Sequence, residues 1–232
     1  MDEKSLSVAF GESIKEISVE VVSDYAEIAL DSVLEDGLLK DFPIISTVVA
    51  LFKVGSSVLD RHNLKKLYIF LNEINKGIAT EEKRENYKEK FKANDKFRNS
   101  EIEYLLVLIN RYISYDKPQM LAKLYMAYLD EVIMWEEFAM YSEIIDRFLL
   151  LDCNYLITET DTTTVPRNMV GVEAILRLVA LGLMTEVANK QLLTNDGHGG
   201  LAMSWSGLAQ FHNSDKVYKR TEFGEKLAQI LR

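Results

Sequence analysis

Near the start of the chain, apolar residues recur at alternating intervals of three and four, at Ile14, Ile17, Val21, Tyr25 and Ile28. The opposite face carries Glu12, Lys15, Glu16, Glu20 and Glu27, so the pattern predicts one long amphipathic helix over residues 5–36. Its apolar stripe is narrow, close to a coiled-coil seam, and Gly37 is placed to end it. The next stretch, 42–59, is the most apolar in the chain. Asp41 stands near its cap and Pro43 in its first turn, where a missing N–H costs nothing, so a helix is expected over 43–59. It runs into a second helix over 61–75 with Leu64, Leu67, Tyr68, Leu71 and Ile74 on one face, and Gly55-Ser56-Ser57 offers a place to bend. Lys53 interrupts the run, which is short for a bilayer. It therefore has to be hidden in a core, against a partner or on a membrane surface.

Further along, residues 80–98 predict a highly charged helix capped at Thr80 and anchored by Tyr87 and Phe91. Residues 101–113 are apolar nearly all round and predict a central core helix. After the break at Lys117-Pro118, helices over 118–129 and 135–151 are joined by the short connection Asp130–Met134, an αα-hairpin pattern. From 158 the texture changes. A Thr-rich stretch at 158–164 precedes a short helix over 172–181, a strand over 184–187, a turn-rich region over 189–215, a strand over 216–221 and a closing helix over 222–231. The expected fold is mainly α, with N-terminal long helices and a helical bundle followed by a small α+β domain. Three parts are expected: an acidic helix at 1–41, a bundle at 42–157, and a module at 158–232 whose first helix begins as early as 135.

Charge changes this picture more than composition does. The 232 residues carry a net charge of -9, but unevenly: residues 1–41 are net -8, 61–98 net +5 and 140–232 net -2. An acidic arm and a basic middle can attract each other within the chain or between copies, although both also read as solvated helix faces. Cys153 is alone, which rules out an internal disulfide framework and suits a reducing cytosol. The acidic start is unlike a secretory leader, so a cytoplasmic protein is expected, with peripheral attachment to the inner face of the membrane as a variant.

Catalytic chemistry is scarce. His62, His198 and His212 are the only imidazoles, and none has a carboxylate at ligand spacing beside it. Cys153 follows a Leu-rich helix and reads as a small core residue. Gly197-His198-Gly199-Gly200 lacks the flanking strand, Lys-Ser/Thr and helix of a phosphate loop. No catalytic residue, metal or cofactor is therefore expected.

Two stretches resemble known groups. Ile175–Val187 looks like a recognition-type helix entering a first wing strand, and Val217–Leu231 like a second wing strand, a Thr221-x-x-Gly224 turn and a closing helix. Together they resemble a winged-helix domain, although residues 188–216 are much longer than a usual wing. In the middle, Lys65, Lys66, Leu67, Phe70 and Leu71, with the Leu121–Leu124, Ala127, Tyr128 pattern, are similar to uncharacterised bacterial helical proteins of phage and phage-defence loci.

Three functional classes follow. The first is a non-enzymatic interaction protein, in a setting of phage defence or counter-defence. It would act by homo-oligomer assembly or partner binding along Ile14, Ile17, Val21, Tyr25, Ile28, Val48, Leu51 and Phe52. The second is a membrane effector inserting helices 19–36 and 43–60, with Lys53, Arg61, Lys65 and Lys66 meeting anionic headgroups. The third is a DNA-binding regulator with Arg167, Arg177, Lys219 and Arg220 on phosphates. The net negative charge of that region argues against it.

Overall fold

The structure is a computed structural model that describes residues 5–15, 42–52, 57–93, 95–158, 163–164, 169–187 and 217–232. Among them are ten helices and a small antiparallel sheet. The chain divides into two compact units, residues 1–147 and 148–232.

Among its described residues the larger unit has helices and no strand. Its first helix, α1 (Leu6–Glu12), starts on Ser5 and stops at Ser13 instead of continuing through the expected 5–36. Tertiary hydrogen bonds explain the stop. Ser13 Oγ donates to the Ala9 carbonyl at 2.8 Å and accepts the Ile44 N–H at 3.0 Å. Asn75 donates to the Ser13 carbonyl and accepts from the Lys15 N–H, both at 3.0 Å. Such bonds offer the backbone an alternative to the next helical turn. Residues 16–41 lie outside the described residues, and with them Ile17, Val21, Tyr25 and Ile28 of the expected seam. Ile14 is buried, and Phe10 enters an aromatic cluster with Phe70, Phe91 and Tyr125.

The expected helix over 43–59 is corrected as well. Helix α2 covers Pro43–Phe52, and α3 (Val58–Gly77) begins afresh at Ser57. Ser57 accepts the Asp60 N–H at 3.1 Å while Asp60 accepts the Ser57 N–H at 3.2 Å. This reciprocal capping box makes Val58 and Leu59 the first turn of the later helix. The charged stretch 80–98 also divides, into α4 (Glu81–Ala93) and the start of α5 (Asp95–Arg111). Helices α6 (Asp116–Leu129) and α7 (Trp135–Arg147) form the antiparallel pair the spacing predicts. Glu131, in their connection, has a left-handed φ of 61°.

The smaller unit starts earlier than 158. Helix α7 ends at Arg147 rather than 151, and α8 (Leu150–Thr158) follows. Asp152 secures that start: its carboxylate accepts the Leu149 N–H at 3.4 Å. Strand β1 (Thr163–Thr164), helix α9 (Met169–Ala180), strands β2 (Met184–Val187) and β3 (Val217–Arg220) and helix α10 (Glu222–Leu231) complete the order. The sheet runs β1-β3-β2, with Thr163 opposite Tyr218 and Met184 opposite Arg220.

The turn into α10 has a tight local cause. Thr221 Oγ1 accepts the Gly224 N–H at 3.0 Å and donates to the Gly182 carbonyl at 2.7 Å. Gly224 then lies so close to the Leu183 carbonyl that any Cβ there would overlap it. The Thr-x-x-Gly spacing is thus a cap and a close approach in one.

Candidate interaction groove

Helices α2, α3 and α5 leave an open groove of about 470 Å³ between them. Its floor is apolar: Val48 from α2, Leu64 and Leu67 from α3, Leu106 and Ile109 from α5. Its rim is polar, formed by Asp60, Asn63, Glu103 and Asn110, with no Lys or Arg among the lining residues. Spacing explains the arrangement. Glu103, Val107 and Asn110 sit four and three apart, which puts them on one exposed stripe of α5. The opposite face of that helix, with Ile102, Leu105 and Leu108, is buried.

Several apolar side chains on the lining helices are exposed. Val107 is 58% exposed, and Val58 and Leu59 at the start of α3 are 72% and 66% exposed. The apolar run 42–59 is therefore only partly hidden: Ile44, Ile45 and Val48 are core, Leu51 is at the surface, and its far end stands in solvent. Asn63 donates from its amide to Asn110 across the groove, while its own Oδ1 is buried and has no hydrogen-bond partner among the described residues. None of the described cations pairs with Glu103.

One end of the groove is held by a buried ammonium. Lys66 Nζ donates to the carbonyls of Asn110 at 3.2 Å and Tyr112 at 2.5 Å, at and just past the C-terminal end of α5. A cation there complements the helix dipole, and burial draws its pKa down to about 8. Lys65 is also buried, with its ammonium 4.6 Å from the centre of the Tyr115 ring. His62 shares a 2.7 Å hydrogen bond with the Tyr115 hydroxyl. Burial, and next the charge of Lys66, hold the His62 pKa below its ordinary value. Lys65 and Lys66 therefore face inward, not toward lipid headgroups; Arg61 is half-buried, and Lys53 is outside the described residues.

The remaining residues singled out in the sequence are scattered. Val48 lines the groove, and Leu51 lies three residues on along α2; the side chain of Phe52 is outside the described set. In the smaller unit Arg177 grips the buried Asp152 through three hydrogen bonds of 2.7–3.1 Å. Arg220 pairs with Glu225 and donates to the Leu156 carbonyl at 2.9 Å. Lys219 is exposed, and Arg167 is outside the described residues. Two of the four basic residues considered for phosphate contact are thus engaged inside the fold.

The exposed stripe Glu103, Val107 and Asn110 does not stand out in the sequence because 101–113 looks apolar all round. The polar pair Glu103 and Asn110 was the available signal. Among the described residues, no helix is long and apolar enough to cross a membrane, and no group of His, Cys, Asp and Glu could hold a metal ion. No protein-family model, curated protein or solved structure matches the chain.

Proposed function

We propose that the protein is a non-enzymatic helical interaction protein whose larger unit docks another protein in the α2–α3–α5 groove. The observation that carries this reading is an apolar-lined groove with Val107, 58% exposed, among its lining residues, and with exposed Val58 and Leu59 directly before Asp60 of its rim in sequence. Soluble proteins seldom leave contiguous apolar surface bare, and such patches mark contact sites. The test replaces Val107 with a photo-crosslinking benzoylphenylalanine in cells, with the same replacement at exposed Glu82 as control. A discrete protein adduct at 107, absent at 82 and lost when Leu106→Asp blocks the floor, is expected. Adducts that are equal at both positions, or absent at both, would remove the groove from the account. Assembly with a second copy is the variant of this reading, and the native mass of the full chain at micromolar concentration separates it from binding to another protein.

We further infer that the smaller unit is a winged-helix type of module. Its α–β–α–β–β–α order, the β1-β3-β2 sheet and the Thr221–Gly224 turn support this. The internal pairing of Arg177 and Arg220 favours a protein-binding or structural use over a DNA-binding one. A salt-dependent shift of a generic duplex would restore the DNA reading. The phage-defence setting rests on the sequence resemblance alone.

A further inference from the structure

We infer that His62 makes the α5–α6 connection an acid-sensitive clasp: α3 grips residues 112–115 while the imidazole is neutral and loosens its hold when the ring takes a second proton. The inference stands apart from the docking reading and needs no partner. On α3, His62, Lys65 and Lys66 stand at i, i+3 and i+4 and so share one face. All three bear on the end of α5 and the connection behind it. His62 reaches Ile113 and Tyr115, Lys65 lies over the Tyr115 ring, and Lys66 holds the carbonyls of Asn110 and Tyr112. Within the connection Tyr112 is buried, but Ile113 is 89% exposed.

Hydrogen-bond geometry selects the protonation state that fits. A carbonyl only accepts, so Nε2 carries the hydrogen that meets the Ile113 oxygen at 3.3 Å. Nδ1 then has a free lone pair and accepts the Tyr115 hydroxyl at 2.7 Å. A second proton, on Nδ1, would set donor against donor until the hydroxyl hydrogen rotates away. It would also put a third positive charge on a face that already carries Lys65 and Lys66. Among the described residues the neighbouring groups do not offset that charge. Helix α2 has no charged residue, Asp60 caps its own helix at Ser57, and Arg61 is a further cation. Asp116 is bonded to Ser114, while Arg111 and Lys117 turn to α7, to Glu143 and Asp146 and to the Asp146 carbonyl. Burial and then Lys66 oppose the charged ring, the Ile113 carbonyl favours it less strongly, and Lys65 adds to the opposition. The folded chain therefore sheds this proton more readily than the unfolded chain, whose imidazole titrates near about pH 6.5. The contribution of the clasp is whole above that pH and is lost as pH falls through the lower folded value.

The experiment follows the full chain by hydrogen exchange on either side of the imidazole titration, in mildly acidic and in neutral buffer, corrected for intrinsic exchange rates. Fragments covering 109–116 should lose about threefold in protection in acid, the scale of a partly exposed like-charge contact, while 135–147 keep theirs. His62→Gln retains an amide donor for Ile113 but cannot titrate, so its protection over 109–116 should hardly differ between the two buffers. Proton NMR supplies a second readout on the natural chain: the His62 ring, assigned by its contact with Tyr115, should titrate at lower pH when folded than when unfolded in urea. Equal protection of 109–116 in both buffers, acid loosening that persists in His62→Gln, or a His62 midpoint unmoved or raised by folding overturns the inference. Should His62→Gln fail to fold, the midpoint on the natural chain still decides.

Discussion

In residues 1–147, beside ion pairs such as Arg98 with the buried Glu101, several buried polar groups reach across the sequence to backbone. Ser13 takes the Ile44 N–H, Asn75 bridges Ser13 and Lys15, and Lys66 holds the end of α5. In residues 148–232 two of the basic residues pair with carboxylates, Arg177 with Asp152 and Arg220 with Glu225, and Arg220 also donates to the Leu156 carbonyl. The first habit stitches distant segments together, and Glu103 at the groove rim meets no cation among the described residues. The second consumes the cations that a nucleic-acid surface would need. Where charge is left over, rather than where it is abundant, is therefore the better guide to function.

The contrast is most easily broken in the smaller unit. Gly224→Val should drive a side chain into the Leu183 carbonyl and lower the stability of that unit by about 3 kcal/mol. Hydrogen exchange should show protection lost over 148–232 and kept over 1–147; equal loss in both would merge the units energetically. In the larger unit, Asn75→Ala strands the Lys15 N–H and the Ser13 carbonyl, and about 2 kcal/mol of stability should go, read by denaturant midpoint. A change within a few tenths of a kcal/mol would show that water replaces the amide.

Alkaline titration sharpens the comparison further. Burial, first of all, pushes Tyr128 and Tyr141 up to about 12 and Tyr87, Tyr112 and Tyr125 up as well. The folded unit keeps protons that the unfolded chain releases near pH 10, so this stability is whole below that pH and is lost as pH rises through 12. Lys66 acts oppositely. Its folded pKa lies below the unfolded value, so its contribution grows from about pH 8 upward. Relative to Lys66→Met, which keeps the same tyrosines, the natural chain should gain stability between pH 8 and 10; a parallel pH profile for the two would cancel the Lys66 effect. The smallest change expected is Glu131→Gly. Relief of the left-handed backbone should outweigh the exposed pair with Lys90 and add about 0.5 kcal/mol, visible as a slightly higher melting temperature.

Local signals were legible where local chemistry decides the outcome. Pro43 starts a helix, Asp130–Met134 joins two, and Thr221 with Gly224 turns a strand into α10, all as the residue pattern predicts. What could not be read depends on remote partners. The helix break at Ser13 needs Ile44 and Asn75. Lys65-Lys66 looks like a solvated pair until carbonyls more than forty residues later cover Lys66. The groove was missed because periodicity shows which residues avoid water on average, and it cannot show that Val107 on an apolar helix is left uncovered.

The ammonium of Lys66 and the amide of Asn63 together fix Asn110 from its carbonyl and its side chain. That wall of the groove is consequently preorganised, with its rotamers settled before any encounter. Association would then show a clear negative heat-capacity change from apolar contact, while the ordering entropy would fall mostly on the incoming partner.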